Sequence, residues 1–589
     1  MTPPMHLTPA LERIANELAT LGPAASCDDL GKLLAAPVTF DDVRGFVRFD
    51  EETYVRALVF KNGGAELRVS SWRPGQSTSL HGHGASACAF RVIRGAAMEI
   101  VLGERDRVWP PGSVVAETSG RVHQVINLGP DPLLTLHAYA PPLPEGAQTT
   151  PRGRHVVIAG GGFAAIAVAY HVLRRCSADV RVHVIEAGPW IGRGIAYGVE
   201  SELFRLNVPA SKMSLDPDVP DDFVRFAGAE STPAAFLSRA LYGRYVADRL
   251  AAALRGSAGR MRVWRDEAVA VTEREVVLRS GKTLPADAVV LATGLTPRMT
   301  HARWSGEVVD AWDECALATL PRRGSILLIG AGLSALDVVA FLEAQRFEGD
   351  VTLVSRHGLL PLPHEEPFRA VRPLTGDDVA GAPREIRALV RWIRERIAGA
   401  PDLPWQRAVD QLRPHVTALY RSMSDRDRAR FARHARPYWD VVRHRAPVDA
   451  LARVDALASQ GRLRRIAGRA RVLTSTAPRG SGVDVEIQRR SGERSVERFD
   501  AVVRCIGPAL DVADAETPLL RSLLDGGFAR VASAGLGVET AIDGRLVDAR
   551  GTPSARIFGI GAVRRASHWE TTSVPDIAAH AHQLARLLA

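Results

Sequence analysis

The chain has 589 residues, of which 46% are hydrophobic and 24% are charged. This is an ordinary globular composition in a length too great for one hydrophobic core, so we expect two to four domains. The formal net charge of +9 does not indicate nucleic-acid binding, because the basic residues are scattered among acidic ones. The five cysteines form no CxxC pair, which is typical of a reduced compartment.

Two further patterns bear on location. Residues 1–11 are Pro-rich and have no basic region before an apolar run, so we expect no secretory signal. The longest apolar stretch, residues 156–170, contains consecutive glycines and is too short to span a bilayer. These patterns predict a cytoplasmic protein with small-molecule partners and no nucleic-acid or membrane partner, and they leave the oligomeric state open.

The first part of the chain predicts helices followed by a β-structure. Residues 11–21 and 29–35 repeat apolar side chains at the spacing of a helix. From about Tyr54 to Tyr139, short β-like runs alternate with Gly and Pro turns, as expected for an all-β barrel. We expect the two helices to cover that barrel.

A pair of histidines in this β-region indicates a metal site. His81 and His83 are two residues apart on a predicted strand, so their imidazoles point to the same face. Together with the later His123, they resemble the metal-binding motifs of cupin barrels. That fold would give three imidazole ligands and leave positions open for substrate and O2. Cupins usually supply a Glu ligand where this chain has Cys88, and three imidazoles alone do not select iron over zinc, copper or nickel.

Residues 1–145 resemble the cysteine dioxygenases at positions beyond the histidines. The matching segments are Tyr54-Val55-Arg56, Trp72, Cys88 and Thr135-Leu136-His137-Ala138-Tyr139, with Thr135 where the family has Ser. The resemblance implies that Fe(2+) is the metal, that Arg56 binds the substrate carboxylate and that Tyr54 lines the pocket. It also implies that His137 orients the hydroxyl of Tyr139 near the iron.

The same resemblance bears on the substrate and on a cross-link. In the family, a thioether joins the residues that correspond to Cys88 and Tyr139; whether it forms here is left open. Related enzymes that act on 3-mercaptopropionate carry Gln in place of Arg56, so the Arg favours L-cysteine. Ala87 and Ala140 depart from the family pattern, which leaves the reaction class unchanged.

A Pro-, Thr- and Gly-rich stretch, 144–153, is predicted to link residues 1–143 to a second domain at 154–589. That domain opens with a buried strand leading into Gly160, Gly162 and Ala165, the G-x-G-x-x-A turn that lets a pyrophosphate approach the start of a helix. The next strand ends in Glu186, which can accept hydrogen bonds from a ribose diol.

A second turn of this type predicts another dinucleotide site, in a subdomain at about 322–460. Gly330 and Gly332 follow a buried strand. The strand after the helix ends in Ser355 and Arg356 instead of an acid, and an Arg suits the 2′-phosphate of NADPH. An acidic and a basic ribose position therefore predict FAD first and NADPH second.

Residues 154–589 resemble the flavoproteins with two dinucleotide-binding domains, and more narrowly the bacterial FAD/NAD(P)-binding proteins of the YdhS type. The segments that carry this resemblance are 192–197, 206–210, 439–445 and 569–572, with strand endings at Gly294 and Gly561. The resemblance implies an α/β fold of Rossmann-like domains in which Asn207 to Met213 lie against the flavin. An Arg-rich helical insertion, including 390–397 and 408–423, is either a cover with a solvated face or places Arg443, His444 and Arg445 against an anionic substrate or NADPH.

These patterns predict a multidomain oxidoreductase: a cupin barrel, then an α/β flavoprotein with a helical insertion. The leading hypothesis is dioxygenation of the thiol of L-cysteine or an analogue to the sulfinate, followed by S- or N-oxygenation with FAD, NADPH and O2. A second hypothesis makes the flavin half a reductase for the iron or for an external acceptor. A third makes the chain a non-catalytic thiol or redox sensor.

Overall fold

The computed structural model describes residues 6–51, 53–118, 120–143, 153–228, 231–255, 259–294, 308–366, 371–473, 482–506, 517–532 and 537–589. Apart from Gly153, the predicted linker lies outside these residues. No helix within the described ranges has the length and apolar character needed to cross a bilayer.

Residues 6–143 form two antiparallel sheets covered by helices. The helices are α1 (Pro9–Leu21), α2 (Cys27–Leu34) and α3 (Phe40–Val43), and the strands are β1 (Val55–Lys61), β2 (Glu66–Trp72), β3 (Ala87–Arg94), β4 (Ala97–Val101), β5 (Arg107–Trp109), β6 (Val114–Glu117), β7 (His123–Ile126) and β8 (Leu133–Ala140). The strand orders are β1-β2-β8-β3-β6 and β5-β4-β7. The predicted helices and β-region are therefore present.

The central strand β8 shows how this half divides its side chains. Every residue of β8 is buried, and alternate side chains point to opposite faces of the sheet. Leu136 and Ala138 pack with Leu11 and Ile14 of α1 in one apolar core. The alternate residues of β8, which include Thr135 and His137, therefore point to the opposite face, between the two sheets.

The second half begins with an α/β unit. Its elements up to residue 294 are β9 (His155–Ala159), α4 (Phe163–Arg175), β10 (Arg181–Ile185), α5 (Gly194–Tyr197), α6 (Asp222–Ala227), α7 (Arg239–Arg255), β11 (Met261–Trp264), β12 (Ala268–Val271), β13 (Glu275–Leu278), β14 (Thr283–Pro285) and β15 (Ala288–Leu291). Strands β12, β13 and β14 form a small antiparallel sheet.

The remaining elements build a second sheet and return to the first. They are β16 (Val308–Asp310), α8 (Glu314–Leu317), β17 (Ser325–Ile329), α9 (Leu333–Ala344), β18 (Asp350–Ser355), α10 (Gly376–Ala380), α11 (Ile386–Ala398), α12 (Trp405–Leu412), α13 (Val416–Ser422), α14 (Asp425–Arg430), α15 (Arg436–Arg443), α16 (Val448–Ser459), β19 (Leu463–Val472), β20 (Val483–Arg489), β21 (Arg494–Phe499), β22 (Ala501–Arg504), α17 (Pro518–Asp525), β23 (Arg545–Val547), β24 (Pro553–Gly559) and α18 (Val574–Leu588).

Each dinucleotide motif lies at one of two larger sheets. The first has the order β11-β10-β9-β15-β24-β23, and the second has the order β16-β22-β17-β18-β19-β20-β21. The second sheet extends beyond the predicted range of about 322–460 at both ends, because β16 and β22 pair in parallel beside β17. The predicted helical insertion corresponds to α10 to α16, which lie between β18 and β19.

The two halves share a packed junction along β11, an edge strand of the first flavoprotein sheet. Leu80 and Val122 of the barrel belong to the same apolar core as Val263 of β11. The backbone N–H of Leu80 donates to the carbonyl of Met261 at 2.9 Å. An ion pair joins Asp106 to Arg265, with both side chains largely buried. The barrel thereby covers a sheet edge that would otherwise expose unpaired backbone groups.

Candidate active sites

The three predicted metal ligands converge inside the barrel. The imidazole centroids lie 5.1 Å apart for His81 and His83, 4.9 Å for His81 and His123, and 5.0 Å for His83 and His123. One ligand atom from each lies within 4.8 Å of the others. His81 and His123 exchange two backbone hydrogen bonds of 2.9 Å, so the backbone fixes their relative position.

Hydrogen bonds leave the same ring nitrogen open on two of these imidazoles. Nδ1 of His81 donates to the carbonyl of Ser79 at 2.9 Å, and Nδ1 of His123 lies 2.7 Å from a carboxylate oxygen of Glu99. Nε2 of His123 is buried and has no hydrogen-bond partner among the described residues. An unpartnered buried nitrogen is costly unless it binds something. The arrangement therefore fits a divalent transition metal held by three imidazoles.

Burial and charge set the protonation of this group. Burial lowers the pKa of His81 to about 3 and holds the pKa of His83 well below its usual value, so both rings are neutral, as metal ligation requires. Burial also lowers the pKa of His123, but the neighbouring Glu117 and Glu99 outweigh it and raise that pKa to about 9. The two carboxylates make this imidazole the most basic of the three.

Sequence reasoning missed Glu99 and Glu117. Both are almost fully buried, on β4 and β6 respectively, and Glu117 lies 3.3 Å from Nδ1 of His123. Carboxylates behind a ligating imidazole orient its ring and increase its basicity. Their sequence signal was an acidic residue within an apolar strand run, because such a residue is rarely buried without a partner.

Cys88 and Tyr139 stand opposite each other in the sheet. They are directly paired on the antiparallel strands β3 and β8, so their side chains share a face. The ring centroid of Tyr139 is 5.5 Å from that of His83, and the guanidinium carbon of Arg56 lies 5.6 Å from the centre of the Tyr139 ring. The structure thus gathers the three predicted residues beside the imidazoles.

A chain of hydrogen bonds leads to the hydroxyl of Tyr139. Nε1 of Trp72 donates to Oγ1 of Thr135 at 3.1 Å, and this hydroxyl is 2.8 Å from Nε2 of His137. Nδ1 of His137 is 3.3 Å from the hydroxyl of Tyr139. Burial keeps the pKa of His137 well below its usual value, so the ring is neutral.

One arrangement of protons along this chain leaves the hydroxyl of Tyr139 free to donate. Trp72 can only donate, whereas the hydroxyl of Thr135 can donate one proton and accept two. When Thr135 donates to Nε2 of His137, Nδ1 carries the ring proton and donates to Tyr139. The phenolic proton of Tyr139 can then point toward a ligand near the imidazoles.

Tyr54 lies beside this group with its ring held in place. It stacks on Trp72 with 4.0 Å between centroids and 5° between planes. Its hydroxyl and Nη2 of Arg56 are both buried without a hydrogen-bond partner among the described residues. Such buried polar groups are costly unless something binds them.

The first dinucleotide motif has the backbone that a phosphate-binding turn needs. Gly160 has a φ of +106°, and a Cβ there would lie 2.4 Å from the carbonyl oxygen of Ala292, so only glycine fits. Gly162 precedes helix α4, and Ala165, the third residue of that helix, is fully buried. The carboxylate of Glu186 accepts hydrogen bonds from the backbone N–H of Gly161 at 2.8 Å.

The other residues predicted to bind FAD lie at or near the same end of the first sheet. Gly294 follows β15 with a φ of +70°, and a Cβ on Gly561 would lie 3.5 Å from Cβ of Ala164 in α4. Ala210 and Met213, just after Asn207, share a core with Phe163 of α4. The carbonyl of Asn207 accepts a hydrogen bond from Nε2 of His364 at 3.0 Å.

The second motif repeats this geometry. Gly330 has a φ of +113°, and a Cβ there would lie 2.4 Å from the carbonyl oxygen of Cys505. Its N–H donates to Val354 at 2.8 Å, which places the turn beside Ser355 at the end of β18. Gly332 precedes α9, and Arg356 is exposed. These positions suit a dinucleotide that enters from solvent.

Comparison with known proteins finds a family match in each half. Residues 22–149 match the family model of cysteine dioxygenase type I, and residues 157–296 match a model described as FAD-NAD(P)-binding. The chain therefore joins a segment that matches cysteine dioxygenase type I to a segment that matches FAD-NAD(P)-binding proteins. The predicted family resemblances, the fold class and the cofactor classes, iron for one half and FAD with NADPH for the other, agree with these matches.

Individual relatives match part of the first half. Cysteine dioxygenase type 1 of Danio rerio is 31% identical over 112 residues, which are 16% of this chain and 56% of that protein. The Homo sapiens protein of the same name is 28% identical over 116 residues, with the same coverage of 16% and 56%. The chain therefore spans just over half the length of the curated relatives it matches.

A solved structure resembles the flavoprotein half in fold. It is FAD-bound DfoA, the desferrioxamine biosynthetic pathway cadaverine monooxygenase of Erwinia amylovora, with a TM-score of 0.51 and 12% identity. The match covers 74% of this chain and 95% of that one. At this identity the likeness shows a shared fold alone.

In the flavoprotein half, the two arginines proposed to face an anion already have carboxylate partners. Arg443 pairs with Glu570 at 2.9 Å, and Arg445 pairs with Asp410. Trp569 packs against Phe431 with 4.8 Å between centroids. The segments at 439–445 and 569–572 therefore attach the helical insertion to the FAD-binding part, which gives them a structural role.

A second histidine cluster lies away from the dioxygenase site. His171, Asp216 and His582 are buried close together. The carboxylate of Asp216 is paired with Arg174 at 2.7 Å, and Nε2 of His582 accepts from Arg586 at 2.9 Å. Because guanidinium groups already occupy the carboxylate and one ring, this cluster is a poor cation site.

Proposed function

We propose that the chain is a bifunctional oxidoreductase. Its first half oxidises the thiol of L-cysteine or a close analogue to the sulfinate, and its second half uses FAD and NADPH to oxidise that product further, at sulfur or nitrogen. The convergence of His81, His83 and His123 beside Cys88 and Tyr139 carries the first part of the proposal. The covalent union of the two domains and their shared junction support the second.

The residues of the barrel have distinct roles in the first reaction. His81, His83 and His123 would hold the ferrous ion, which when bound supplies positions where a thiolate and O2 meet. Arg56 would hold the substrate carboxylate, because a guanidinium can bind a carboxylate through two parallel hydrogen bonds. Tyr139, whose hydroxyl lies 3.3 Å from Nδ1 of His137, would donate its proton to the substrate or to oxygen. The sulfur gains both atoms of one O2.

The second half would supply the reductant for a further oxygenation. Gly160, Gly162, Glu186 and Gly561 would bind FAD, and Gly330, Ser355 and Arg356 would bind NADPH. In S-oxygenation, the sulfinate gains one oxygen atom of O2, NADPH gives up two electrons, and the other oxygen atom leaves as water. The proposed domains are 1–143 and 154–589, joined by the linker at 144–153.

Mass spectrometry of the products from intact, iron- and FAD-loaded protein tests this proposal. With L-cysteine and no NADPH, we expect the product to gain two oxygen atoms. With NADPH, we expect a third oxygen atom and NADPH consumption that depends on the thiol. A His83→Ala variant should form neither product from L-cysteine but should still oxidise added cysteine sulfinate.

Three outcomes contradict parts of the proposal. If NADPH adds no oxygen atom to the thiol or to the sulfinate, the tandem reaction is wrong. If NADPH then only sustains the rate of sulfinate formation, the reductase hypothesis replaces it. If metal-loaded protein binds L-cysteine without consuming O2, the sensor hypothesis replaces both.

A further inference from the structure

A cavity of about 470 Å³ lies at the junction between the two halves. Cavities of this size hold small-molecule ligands in other proteins. Its walls are the turn at 103–107, between β4 and β5 of the barrel, and Trp190, Arg193, Glu200 and Arg244 of the flavoprotein half. None of the predicted metal ligands or dinucleotide-binding residues lines it, so it is separate from the sites described above.

The walls from the two halves are fixed against each other. The guanidinium of Arg193 donates to the backbone carbonyl of Gly103, and the backbone N–H of Asp106 donates to the carbonyl of Pro189 at 3.3 Å. The side chain of Asp106 is also paired with Arg265. The cavity is therefore preformed, which lowers the entropic cost of binding a ligand in it.

Arg193 brings a buried charge to this cavity without a counter-ion. The residue is only 6% exposed, and its guanidinium carbon lies 4.2 Å from the centre of the Trp190 ring. Among the described residues, Nε has no hydrogen-bond partner and no carboxylate forms an ion pair with this guanidinium. A desolvated cation is costly unless an anion accompanies it. An anion bound in the cavity would remove that cost.

Two more side chains of the wall, one of each sign, also lack an ion pair within the described part of the chain. They are the exposed residues Arg105 and Glu200. The other charged residues that line the cavity are already paired. The cavity therefore offers two uncommitted guanidinium groups, those of Arg193 and Arg105, and one uncommitted carboxylate.

This set of charges is complementary to an amino acid whose side chain ends in a second acidic group. Such a molecule carries two anionic groups and one ammonium at neutral pH. L-cysteine carries one carboxylate and one ammonium, and oxidation of its thiol to the sulfinate adds the second anionic group. Guanidinium groups bind such oxyanions through charge-assisted hydrogen bonds. The cavity therefore fits the product of the proposed first reaction better than its substrate.

The walls of the cavity are continuous with both candidate sites. Gly192, which precedes Arg193, donates its backbone N–H to the carbonyl of Gly161 in the first dinucleotide turn at 2.8 Å. On the barrel side, Val101 at the end of β4 is paired with His123, and the turn of the cavity wall follows that strand. A ligand in the cavity would therefore lie between segments that lead to the two sites.

We propose that this cavity binds the amino-acid sulfinate formed by the first half and retains it for the second half. The guanidinium groups of Arg193 and Arg105 would bind the sulfinate and the carboxylate, and the carboxylate of Glu200 would bind the ammonium. The inference rests on the proposed function and adds to it a binding site at the junction, outside both reaction centres.

Calorimetry with L-cysteine sulfinate tests for this site in the full chain, loaded with iron and FAD and without NADPH. Arg193→Gln removes the charge but keeps an amide donor. It should weaken sulfinate binding about 10–100-fold, because a hydrogen bond between charged groups is lost. Arg105→Met and Glu200→Gln change exposed side chains and should each weaken it about threefold.

Two controls accompany these measurements. Anaerobic binding of L-cysteine, and its conversion to the sulfinate, should be unchanged in all three variants, because the cavity does not include the histidine site. Arg274→Met removes an exposed arginine that does not line the cavity, and it should leave sulfinate binding unchanged.

Retention is measured by turnover of isotopically labelled L-cysteine with NADPH and an excess of unlabelled cysteine sulfinate. Wild-type protein should carry most of the label into the final product, because a retained intermediate does not mix with the added sulfinate. Arg193→Gln should lose that protection, so the labelled fraction should fall toward the value for complete mixing.

The outcomes that overturn the inference differ from failure of the proposed function. Sulfinate binding that is equal in wild type and all three cavity variants overturns it, as does a wild type that forms the sulfinate without binding it, or equal weakening in Arg274→Met. If the proposed function fails, the wild type itself oxidises no L-cysteine or no sulfinate, whatever the calorimetry shows. Metal content, flavin content and unfolding midpoint identify a misfolded variant, and the two exposed substitutions then decide.

Discussion

The side-chain amide of Gln124 makes two hydrogen bonds to the backbone of Val263, donating to its carbonyl at 2.8 Å and accepting from its N–H at 3.0 Å. Gln124 follows the proposed metal ligand His123 in β7, and Val263 lies in β11. Val263 is two residues from Arg265, which donates to the backbone carbonyl of Glu186, the predicted ribose-binding acid. One short strand therefore connects the proposed metal ligands with the turn proposed to bind FAD.

Replacing Gln124 tests how strongly this contact joins the halves. Gln124→Ala leaves a buried N–H and a buried carbonyl of Val263 without partners, which should lower the free energy of unfolding by about 1–3 kcal/mol. Chemical denaturation of the full chain measures the change. Gln488→Ala, at an exposed position on β20, should have no comparable effect. Equal stability of both variants would mean that the junction contributes little.

Glu99 should determine how tightly the metal is held. Its carboxylate lies 2.7 Å from Nδ1 of His123 and accepts from Nε1 of Trp109 at 2.9 Å. Glu99→Gln keeps the shape but removes the charge, so metal affinity should fall by about 10–100-fold. Competition with a chelator measures it. Glu104→Gln, which removes a more exposed carboxylate paired with Arg121, should retain wild-type affinity.

Thr135 should control the orientation of the Tyr139 proton. Thr135→Val removes the hydroxyl between Trp72 and His137, so the imidazole loses its hydrogen bond at Nε2. We expect kcat for thiol oxidation to fall about 100-fold, the lower end of what a positioned proton donor contributes, with metal content unchanged. Thr135→Ser retains the hydroxyl and should retain the rate. A valine variant with full activity would show that this hydrogen bond does not orient the Tyr139 proton.

Arg356 should select NADPH over NADH. It follows β18 at the predicted ribose position of the second dinucleotide site, where a guanidinium can pair with a 2′-phosphate. Arg356→Ala should raise the KM for NADPH about tenfold while leaving the KM for NADH unchanged, since one exposed charge contact is lost. Arg323→Ala, an exposed residue before β17, provides the control. Equal effects on both cofactors would exclude recognition of the 2′-phosphate by Arg356.

Asp337 should give the stability a specific pH dependence. Burial raises the pKa of this carboxyl from 3.8 to about 6, although Arg239 lies 3.5 Å away. The folded protein therefore holds this proton more tightly than the unfolded chain does. That contribution is present at low pH and is lost as the pH rises through about 6, a loss on the order of 3 kcal/mol.

Asp337→Asn removes the titration. Its free energy of unfolding relative to wild type should therefore increase between pH 4 and pH 7, as measured by denaturation at a series of pH values. Asp455→Asn, at an exposed position on α16, should show a constant difference over the same range. A constant difference for Asp337→Asn as well would show that its carboxyl titrates alike in both states.

The sequence by itself determined the features that depend on neighbouring residues. His81 and His83 share a face because a strand alternates its side chains, and Gly160 and Gly330 stand in turns whose backbone requires glycine. The acidic Glu186 directly follows β10, and the cationic Arg356 directly follows β18. Each of these strands comes after the glycine-rich turn and the helix of its dinucleotide motif. Such local spacings predicted the metal site, both dinucleotide motifs and the order of the domains.

Only the tertiary structure decided which distant residues meet. Glu99 is 24 residues from His123, and Gln124 is 139 residues from Val263; sheet register and domain packing bring these pairs together, and neither has a periodic signal. The same holds for the carboxylates that pair with Arg443 and Arg445, and for Arg193 beside the barrel. A partner for a buried charge is selected by the packing of the whole chain, because desolvation penalises every arrangement that leaves the charge alone.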